Sequence, residues 1–546
     1  MERRKFVKDT LISSTGLMIL PSLLRGFSLP PVSAVIDAKG KGKQFTPFWS
    51  HCVGAGRANE GLRASWLEQL QTVQKHCGFG YLRFHGLFHD DMFVYHEDNG
   101  RPVYNWQYID DLFDRMLDIG VRPFVELGFM PYSLASDETA KQFWWKANVS
   151  PPKDYDKWAN LVRAFVKHCI SRYGSEEVRC WYFEVWNEPD LYGFWHGTKS
   201  QYFELYKVSA NAIKAIDEKL RVGGPATSNF VPDDRFIGET VNKKNQKTLT
   251  VKNINTLKWH GVWIEQFLKY CHKEQLPVDF VSTHPYPTDW ALDPMTGKGG
   301  GRVREVNATF KDLSWLKRTV ERSAYPHAEI HCTEWSTSPS SRDKNHDELP
   351  AASFIIKANL DSIGLVNSLS YWTFTDVFEE KGAGNSIFHG GFGLINYQGI
   401  VKPAFHAYRM LHALGSEILQ KEEGLIITRD PALERITALI YNYPKEMTEV
   451  VGGNFQEGKS RNVSLRLDNL NPGSSFVVET MDDDHGYGLK AWVQMGKPEP
   501  PDREQARQLK NAAWATRKEI ITATMEGRLN WQSDVNPWSC ILLKQV

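Results

Sequence analysis

Two glutamate residues have the sequence surroundings of a pair that could perform acid–base chemistry. Glu188 follows the apolar part of FEVWNEPD, and Glu334 ends the apolar run IHCTE. Burying an unpaired carboxylate costs free energy, so two such positions require a chemical reason. Hydrolysis of a glycosidic bond with retention provides one, because one carboxylic acid protonates the leaving oxygen while a carboxylate about 5–5.5 Å away attacks the anomeric carbon.

The elements that would position this pair alternate between strand and helix patterns. Short apolar runs rich in aromatic and β-branched residues predict strands buried on both faces, and helical periodicity separates them; Ile109, Leu112 and Met116, for example, recur before Gly120. The predicted strands lie at residues 48–54, 79–84, 121–127, 179–185, 221–224, 278–282, 328–333 and 368–374. Eight strand–helix units predict an α/β fold, a closed (β/α)8 TIM barrel over residues 46–418.

Polar residues stand at the ends of most of these strands. With the aromatic Trp372 among them, these end residues are Arg83 and His85 at strand two, Asn187 and Glu188 at strand four, His284 and Tyr286 at strand six, Glu334 at strand seven, and Trp372 and Asp376 at strand eight. Barrel enzymes carry their active sites at the carboxyl ends of the strands. Closure of the barrel is therefore expected to bring the two glutamates to one pocket.

The alternation stops near residue 420. Runs such as RITALIY and VSLRL, separated by turn-rich segments, predict a C-terminal β-sandwich over residues 419–546, interrupted by a charged, helix-prone segment at 501–519. Such a domain either packs against the barrel and stabilises it or binds carbohydrate. The sequence leaves both roles open.

The N-terminus predicts export. Arg3 and Arg4 precede Phe6 and an apolar stretch at 11–24, which is too short and interrupted for a membrane span, and VSA at 32–34 fits a small-residue cleavage site. We expect a twin-arginine-type signal peptide at 1–34, a polar linker at 35–45, and a bacterial protein that is periplasmic or secreted and does not contact the membrane after signal removal. An amphipathic tail is the alternative.

Composition disfavours several other classes of protein. The 65 basic residues balance the 65 acidic ones, so nucleic acid is not an expected partner. The seven cysteines have no CxxC pair, which disfavours a zinc site and a disulfide framework. His85, His89 and His96 fit no metal-ligand spacing, and hydrolysis by two carboxylates needs neither a metal nor a cofactor. The oligomeric state is left open.

Several ordered segments together resemble glycoside hydrolase family 39, and most of all its β-xylosidase branch; the family also holds α-L-iduronidases. The segments are CVGAGRANEGLR, YLRFHGLFHDDMFVY, VRPFVELGFMP, FEVWNEPD, FVSTHPY, IHCTEWS and YWTFTDVFEE, followed by HGGFGL. NEP alone is weak evidence, because a whole clan of barrel hydrolases shares it. The resemblance implies a retaining, exo-acting β-xylosidase that releases xylose from xylo-oligosaccharides through a covalent glycosyl-enzyme, with an oligosaccharide or aryl glycoside as substrate.

The resemblance also implies roles for individual residues. Glu188 corresponds to the general acid/base and Glu334 to the nucleophile. Burial and the charge of Glu334 would keep a proton on Glu188 until the ester forms, after which its pKa should fall. The residues implied in substrate binding are Asn187 at the 2-hydroxyl, His85, His284, Tyr286, Trp372 as an aromatic floor, and Glu379 and Glu380 at the distal hydroxyls.

Departures from the family pattern leave the sugar open. Residues 238–260 contain an apparent insertion, the loop at 288–303 is distinctive, and Ser336 and Pro339 stand where Asn and Tyr are expected. Because loops set specificity, the same mechanism could serve a β-glucosidase, an arabinosidase or an α-L-iduronidase-like enzyme. A carbohydrate-binding protein without catalytic activity is the alternative from another class.

Overall fold

Eight parallel strands close into a barrel within the part of the chain that the computed structural model describes: residues 31–228, 230–245, 253–289, 304–444 and 458–546. We number them β1 to β8. The strands are β1 Cys52–Arg57, β2 Tyr81–His85, β3 Arg122–Leu127, β4 Tyr182–Val185, β5 Arg221–Ser228, β6 Phe280–His284, β7 Glu329–Trp335 and β8 Ser368–Tyr371. Each pairs with its neighbours in chain order, and Tyr371 beside Val53 closes the ring.

One long helix follows each barrel strand. These are α1 Ala64–Cys77, α2 Gln107–Ile119, α3 Tyr155–Tyr173, α4 Lys199–Lys214, α5 Ile264–Lys273, α6 Ala308–Glu321, α7 Pro350–Asp361 and α8 Pro403–His412. The apolar residues predicted in α2 are buried, and the helix ends at Gly120, whose φ of 87° suits a residue without a side chain. The predicted barrel is thereby confirmed.

Loops at the carboxyl ends of β2, β3 and β5 carry short two-stranded hairpins, and the four-residue helix Ser175–Val178 precedes β4. The hairpin strands are Tyr95–Asp98 with Arg101–Tyr104, Lys141–Gln142 with Ala147–Asn148, and Phe230–Val231 with His260–Gly261. The elaborated loops thus lie at the end of the barrel where the polar residues are found, as expected for a barrel that binds its ligand there.

Two antiparallel-rich sheets form the predicted sandwich beside the barrel. In the described residues, one sheet has the strand order Val32–Asp37, Arg461–Asp468 and Leu529–Val535, and the other has Lys43–Gln44, Glu417–Glu422, Leu425–Asp430, Arg435–Tyr441, Cys540–Gln545, Ser475–Met481 and Arg517–Thr522. Two helices, Gly488–Gln494 and Arg503–Trp514, interrupt the strands. Trp514 packs on Phe405 of α8 with 5.1 Å between ring centroids. The charged segment at 501–519 therefore contributes a helix that packs against the barrel.

The N-terminal strand is the main difference from the predicted organisation. Val32–Asp37 pairs in parallel with Arg461–Asp468, and its alternate residues Val32, Ala34 and Ile36 are buried in the core of the sandwich. Segments expected to be the end of a leader and a linker thus belong to the C-terminal domain. The small residues of VSA, which suggest a cleavage site, also give the alternation of a half-buried strand.

Export itself stays a prediction, because residues 1–30 lie outside the described part of the chain. Among the helices that the structure does describe, none combines the length and the apolar character needed to span a bilayer.

Truncation tests the structural role of the N-terminal strand. A chain that begins at Val35 loses the buried side chains of Val32 and Ala34, whereas a chain that begins at Pro31 keeps the whole strand. We expect the shorter chain to lose about 2 kcal/mol of unfolding free energy relative to the longer one. Urea unfolding followed by the fluorescence of the C-terminal domain checks this, and equal midpoints for the two chains would contradict it.

Candidate active site

The barrel brings Glu188 and Glu334 to one cavity. An oxygen of each carboxyl group and a ring nitrogen of His284 all lie within 4.8 Å of one another. Both glutamates line a cavity of about 390 Å³ at the carboxyl ends of the strands. So close an approach suits retaining glycosidases, whose carboxyl groups lie about 5–5.5 Å apart, better than inverting ones, which need about 6.5–9.5 Å.

The backbone after β4 turns Glu188 into this cavity. Trp186 and Glu188 both adopt left-handed conformations, with φ of 70° and 44°, and the Glu188 amide donates to the carbonyl of Ala226 at 2.9 Å. Such conformations cost about 1–3 kcal/mol each and persist where surrounding contacts hold them. The strand end is thus bent to direct a carboxyl group inward.

Hydrogen-bond donors surround the side chain of Glu334. Arg83 Nη1 donates to Oε1 at 2.8 Å, and the Tyr286 hydroxyl donates to Oε2 at 3.0 Å. His85 Nε2 lies 3.6 Å from Oε1. Burial raises the pKa of Glu334, while Arg83, His85 and Tyr286 act in the opposite direction. These contacts favour the ionised form that a nucleophile requires.

Glu188 has the opposite electrostatic environment. Burial, followed by the charges of Glu334 and Asp190, raises its pKa well above the ordinary value of a glutamate. Its Oε1 lies 2.8 Å from His284 Nδ1, and burial lowers the pKa of that histidine well below its usual value. Of the two glutamates, Glu188 therefore retains the proton.

The other predicted substrate-binding residues divide into two groups. Tyr286, His85, Trp372 and Glu380 line the cavity beside the two glutamates. Asn187 is buried, accepts from Arg83 Nη2 at 2.7 Å, and leaves its Nδ2 without a protein partner, so this amide has a donor available to a ligand.

Glu379 does not share the position of Glu380. It accepts hydrogen bonds from Arg57 Nη2 at 3.1 Å and Arg63 Nη1 at 2.7 Å, outside the set of side chains that line the cavity. Although burial acts to raise the pKa of Glu379, the hydrogen bonds from these arginines lower it. Of the acidic pair predicted at the distal hydroxyls, Glu380 therefore lines the cavity, whereas Glu379 links its loop to Arg57 and Arg63.

Arg83 is the residue whose importance the sequence understated. Its guanidinium, fully buried, pairs with Glu126 at 2.9 Å and Glu184 at 2.6 Å as well as with Glu334. His85 Nδ1 joins this network through Glu126 Oε2 at 2.7 Å. Isolated glutamates within the strands VRPFVEL and YFEV were the available signal, since a buried carboxylate needs a cation.

The cavity rim comes from residues that the sequence did not single out. Gln142 and Phe143 from the loop after β3, Tyr192 and Phe194 from the loop after β4, and Lys381 and Phe392 from the loop after β8 line it. Pro339, one of the departures from the family pattern, also lines the cavity, whereas Ser336 donates to the carbonyl of Ser338 at 2.7 Å. Of the distinctive loops, residues 246–252 and 290–303 lie outside the described chain.

Glu188, His284 and Glu334 are also the described residues grouped closely enough to offer ligand atoms to a cation. The guanidinium of Arg83 on Glu334 would repel such an ion, and Tyr286 occupies the other oxygen of that carboxylate. The donor set therefore suits a pair of carboxyl groups around an organic substrate better than a metal centre. His89 instead faces Asp91, with 2.7 Å between Nδ1 and a carboxylate oxygen.

Comparison with known proteins finds relatives over most of the chain. The pattern of glycosyl hydrolases family 39 matches residues 32–530. A β-xylosidase of Geobacillus stearothermophilus is 36% identical over 488 residues, which cover 88% of this chain and 89% of that protein. The solved family 39 enzyme of Xanthomonas axonopodis pv. citri superposes with a TM-score of 0.82 at 31% identity, covering 96% and 99% of the two chains. A monomeric β-xylosidase of Caulobacter crescentus CB15 gives 0.81 at 31% identity over 94% and 99%.

Replacing Arg83 by Gln tests the electrostatic assignment. The substitution removes a cation that lowers the pKa of Glu334, so this pKa rises and the acidic limb of the kcat/KM profile should move up by about one to two pH units. The variant should also lose about 3 kcal/mol of stability, because Glu126 and Glu184 lose their partner.

Arg122→Gln is the matched control. Arg122 begins β3 at the opposite end of the barrel and pairs with Glu177 at 2.7 Å. Its removal should leave the acidic limb in place. An unshifted limb in Arg83→Gln would show that this arginine does not control the ionisation of Glu334.

Proposed function

The chain belongs to glycosyl hydrolases family 39, and on that premise we propose that it is a retaining, exo-acting β-xylosidase that releases xylose from xylo-oligosaccharides. The observation that carries the proposal is the pair of carboxyl groups, Glu188 and Glu334, which face one cavity at close range and of which Glu188 has the more strongly raised pKa. The predicted resemblance to this family is confirmed.

In the first step, an ionised Glu334 oxygen forms a bond to the anomeric carbon as the bond from that carbon to the leaving oxygen breaks. Glu188 gives its proton to the leaving oxygen, so the departing group leaves as a neutral alcohol. Charge is balanced, because the negative charge of Glu334 disappears in the ester while Glu188 becomes a carboxylate.

In the second step, the ester makes Glu188 a base. The charge of Glu334, one of the causes of the raised pKa of Glu188, is absent from the glycosyl-enzyme. The carboxylate of Glu188 takes a proton from water, the water oxygen attacks the anomeric carbon, and the bond to Glu334 breaks. Xylose leaves with its original anomeric configuration, and Glu188 is protonated again.

Neighbouring side chains support these steps. The free Nδ2 of Asn187 lies next to the arginine that contacts Glu334, where a donor to the 2-hydroxyl would strengthen as positive charge develops on the sugar ring. Burial raises the pKa of Tyr286 well above its usual value, so this hydroxyl remains a donor to Glu334.

The cavity supports a small, uncharged terminal sugar. Its volume of about 390 Å³ suits the end of a chain more than a long internal segment, and Trp372 provides an apolar face. Glu380 lies with its Oε1 3.7 Å from His85 Nε2, and burial raises the pKa of Glu380 to about 7. The charge of Glu334 is one cause of this raised pKa, and a sugar carboxylate would add a further negative charge at the same place, which disfavours a uronic acid.

Substitution of the two glutamates tests the mechanism. Glu334→Gln removes the nucleophile and should reduce kcat by several orders of magnitude on every substrate. Glu188→Ala should slow substrates with poor leaving groups far more than activated aryl glycosides, because only the former need the acid. Azide should restore turnover of this variant and yield a β-glycosyl azide.

Steady-state kinetics on an aryl xyloside and on xylobiose separate the two roles. Ordinary turnover by Glu334→Gln, or equal losses by Glu188→Ala on both substrates, would contradict the assignment. A single-turnover assay of the parent protein with an activated aryl glycoside also separates an enzyme from a sugar-binding protein without activity.

A panel of aryl glycosides tests the sugar. We expect kcat/KM for the β-D-xyloside to exceed that for the β-D-glucoside, α-L-arabinoside and α-L-iduronide by at least about tenfold, since one substituent in a close-fitting pocket changes transition-state binding by about 1–3 kcal/mol. Glu380→Gln should reduce the difference in kcat/KM between the β-D-xyloside and the α-L-iduronide, because it removes an acidic side chain that would lie near the carboxylate of the iduronide. If the protein preferred another glycoside in the panel, the proposed mechanism would stand and the proposed substrate would be wrong.

A further inference from the structure

A row of buried hydrogen bonds leads from the arginine network to the proposed acid. Thr333 Oγ1 lies 2.8 Å from Glu184 Oε1, His284 Nε2 lies 3.1 Å from Thr333 Oγ1, and His284 Nδ1 lies 2.8 Å from Glu188 Oε1. Each of these four side chains is nine-tenths or more buried. The direction in which each bond is donated decides where the protons are held.

Glu184 determines the direction of the first bond. Its Oε2 accepts from Arg83 Nε at 2.6 Å, and this ion pair holds it as a carboxylate, which can only accept hydrogen bonds. Thr333 has one hydroxyl proton, so that proton points to Glu184 Oε1. The oxygen of Thr333 then presents a lone pair to His284.

The lone pair of Thr333 determines the tautomer of His284. A hydrogen bond over 3.1 Å to that oxygen requires a proton on Nε2. Burial, with the positive charges of Arg83 and His85, lowers the pKa of His284 well below its usual value, so the ring is neutral and carries a single proton. Its Nδ1 is therefore an acceptor, and the 2.8 Å contact with Glu188 requires the proton to come from the glutamic acid.

We infer that Thr333 and Glu184 are positioning residues that hold the ring proton of His284 on Nε2, so that Nδ1 accepts from Glu188 and keeps the proposed acid protonated in the resting enzyme. They act through His284 and not on the sugar. Because a hydrogen bond to the neutral form disfavours ionisation, this arrangement adds to burial and to the charge of Glu334 in keeping the proton on Glu188. The inference rests on the acid/base role proposed for Glu188.

Other charged groups also act on this pair and have to be held constant. The groups that face Glu188 or His284 are Glu334 and Tyr286 across the cavity, Arg83 and His85 from β2, Asp190 from the loop after β4, and Glu380 from the loop after β8. A substitution at Thr333 changes none of these groups. It removes the acceptor that Thr333 offers to His284 Nε2 and the donor that Thr333 offers to Glu184 Oε1, and it leaves the contact between His284 and Glu188 in place.

Thr333→Val tests the inference, because it keeps the β-branched shape and removes the hydroxyl. With no acceptor at Nε2, the proton of His284 can move to Nδ1 and donate to an ionised Glu188, which lowers the pKa of that acid. The alkaline limb of kcat/KM on xylobiose should therefore move down by about one pH unit, whereas Thr333→Ser, which retains the hydroxyl, should keep the limb of the parent.

Thr283→Val is the matched control for loss of a buried hydroxyl. Thr283 lies on the neighbouring strand β6, is equally buried, and donates to the carbonyl of Thr227 at 2.9 Å without joining the row. In Thr283→Val the alkaline limb of the kcat/KM profile should therefore stay at the pH of the parent protein. An unshifted limb in Thr333→Val, or an equal shift in Thr283→Val, would overturn the inference.

The tautomer can be measured without catalysis. In the 15N-histidine-labelled parent protein, with the resonance assigned by comparison with His284→Gln, His284 should show a protonated Nε2 and an unprotonated Nδ1, and Thr333→Val should reverse the pattern. A protonated Nδ1 in the parent would overturn the inference even if the valine variant did not fold. If the tautomer is as expected but Glu188→Ala loses all substrates equally, the arrangement stands and the proposed acid role fails.

Discussion

One buried guanidinium is the constraint on which the site depends. Arg83 faces Glu126, Glu184 and Glu334 within 2.9 Å and also contacts Asn187. Several charges taken out of water are stable only when their partners are complete and well oriented. The planar fork of arginine supplies donors in several fixed directions, which a lysine could not reproduce. The position of each acidic side chain at the barrel mouth is therefore tied to the others.

This constraint produces two unlike carboxyl groups from one residue type. Glu334 contacts the guanidinium and the hydroxyl of Tyr286, whereas Glu188 contacts a neutral histidine and faces the negative charge of its partner. Chemistry that requires an acid and a nucleophile side by side depends on this difference. Because the residues come from β2, β4, β6 and β7, only a closed barrel can assemble them.

Another part of the molecule forms the rim of the cavity. Loops after β3, β4 and β8 supply the cavity rim, and the sandwich packs on the outside of the barrel through residues such as Trp514. Chemistry at strand ends and recognition in loops can therefore change separately. Phe143 and Lys381 belong to this rim.

The sequence by itself determined the local periodicities and the residue types at strand ends, and from these came the eight-unit barrel, the sandwich and the pair Glu188 and Glu334. Only the tertiary structure decided what depends on contacts between distant segments. In the folded protein Glu379 accepts hydrogen bonds from two arginines, whereas Glu380 lines the cavity, although the two are neighbours in the chain. Val32–Asp37 pairs with a strand of the sandwich, which the sequence could not predict because the alternation of a strand does not indicate which strand it pairs with. Arg83 is surrounded by three carboxylates from distant strands, and no spacing along the chain reveals this arrangement.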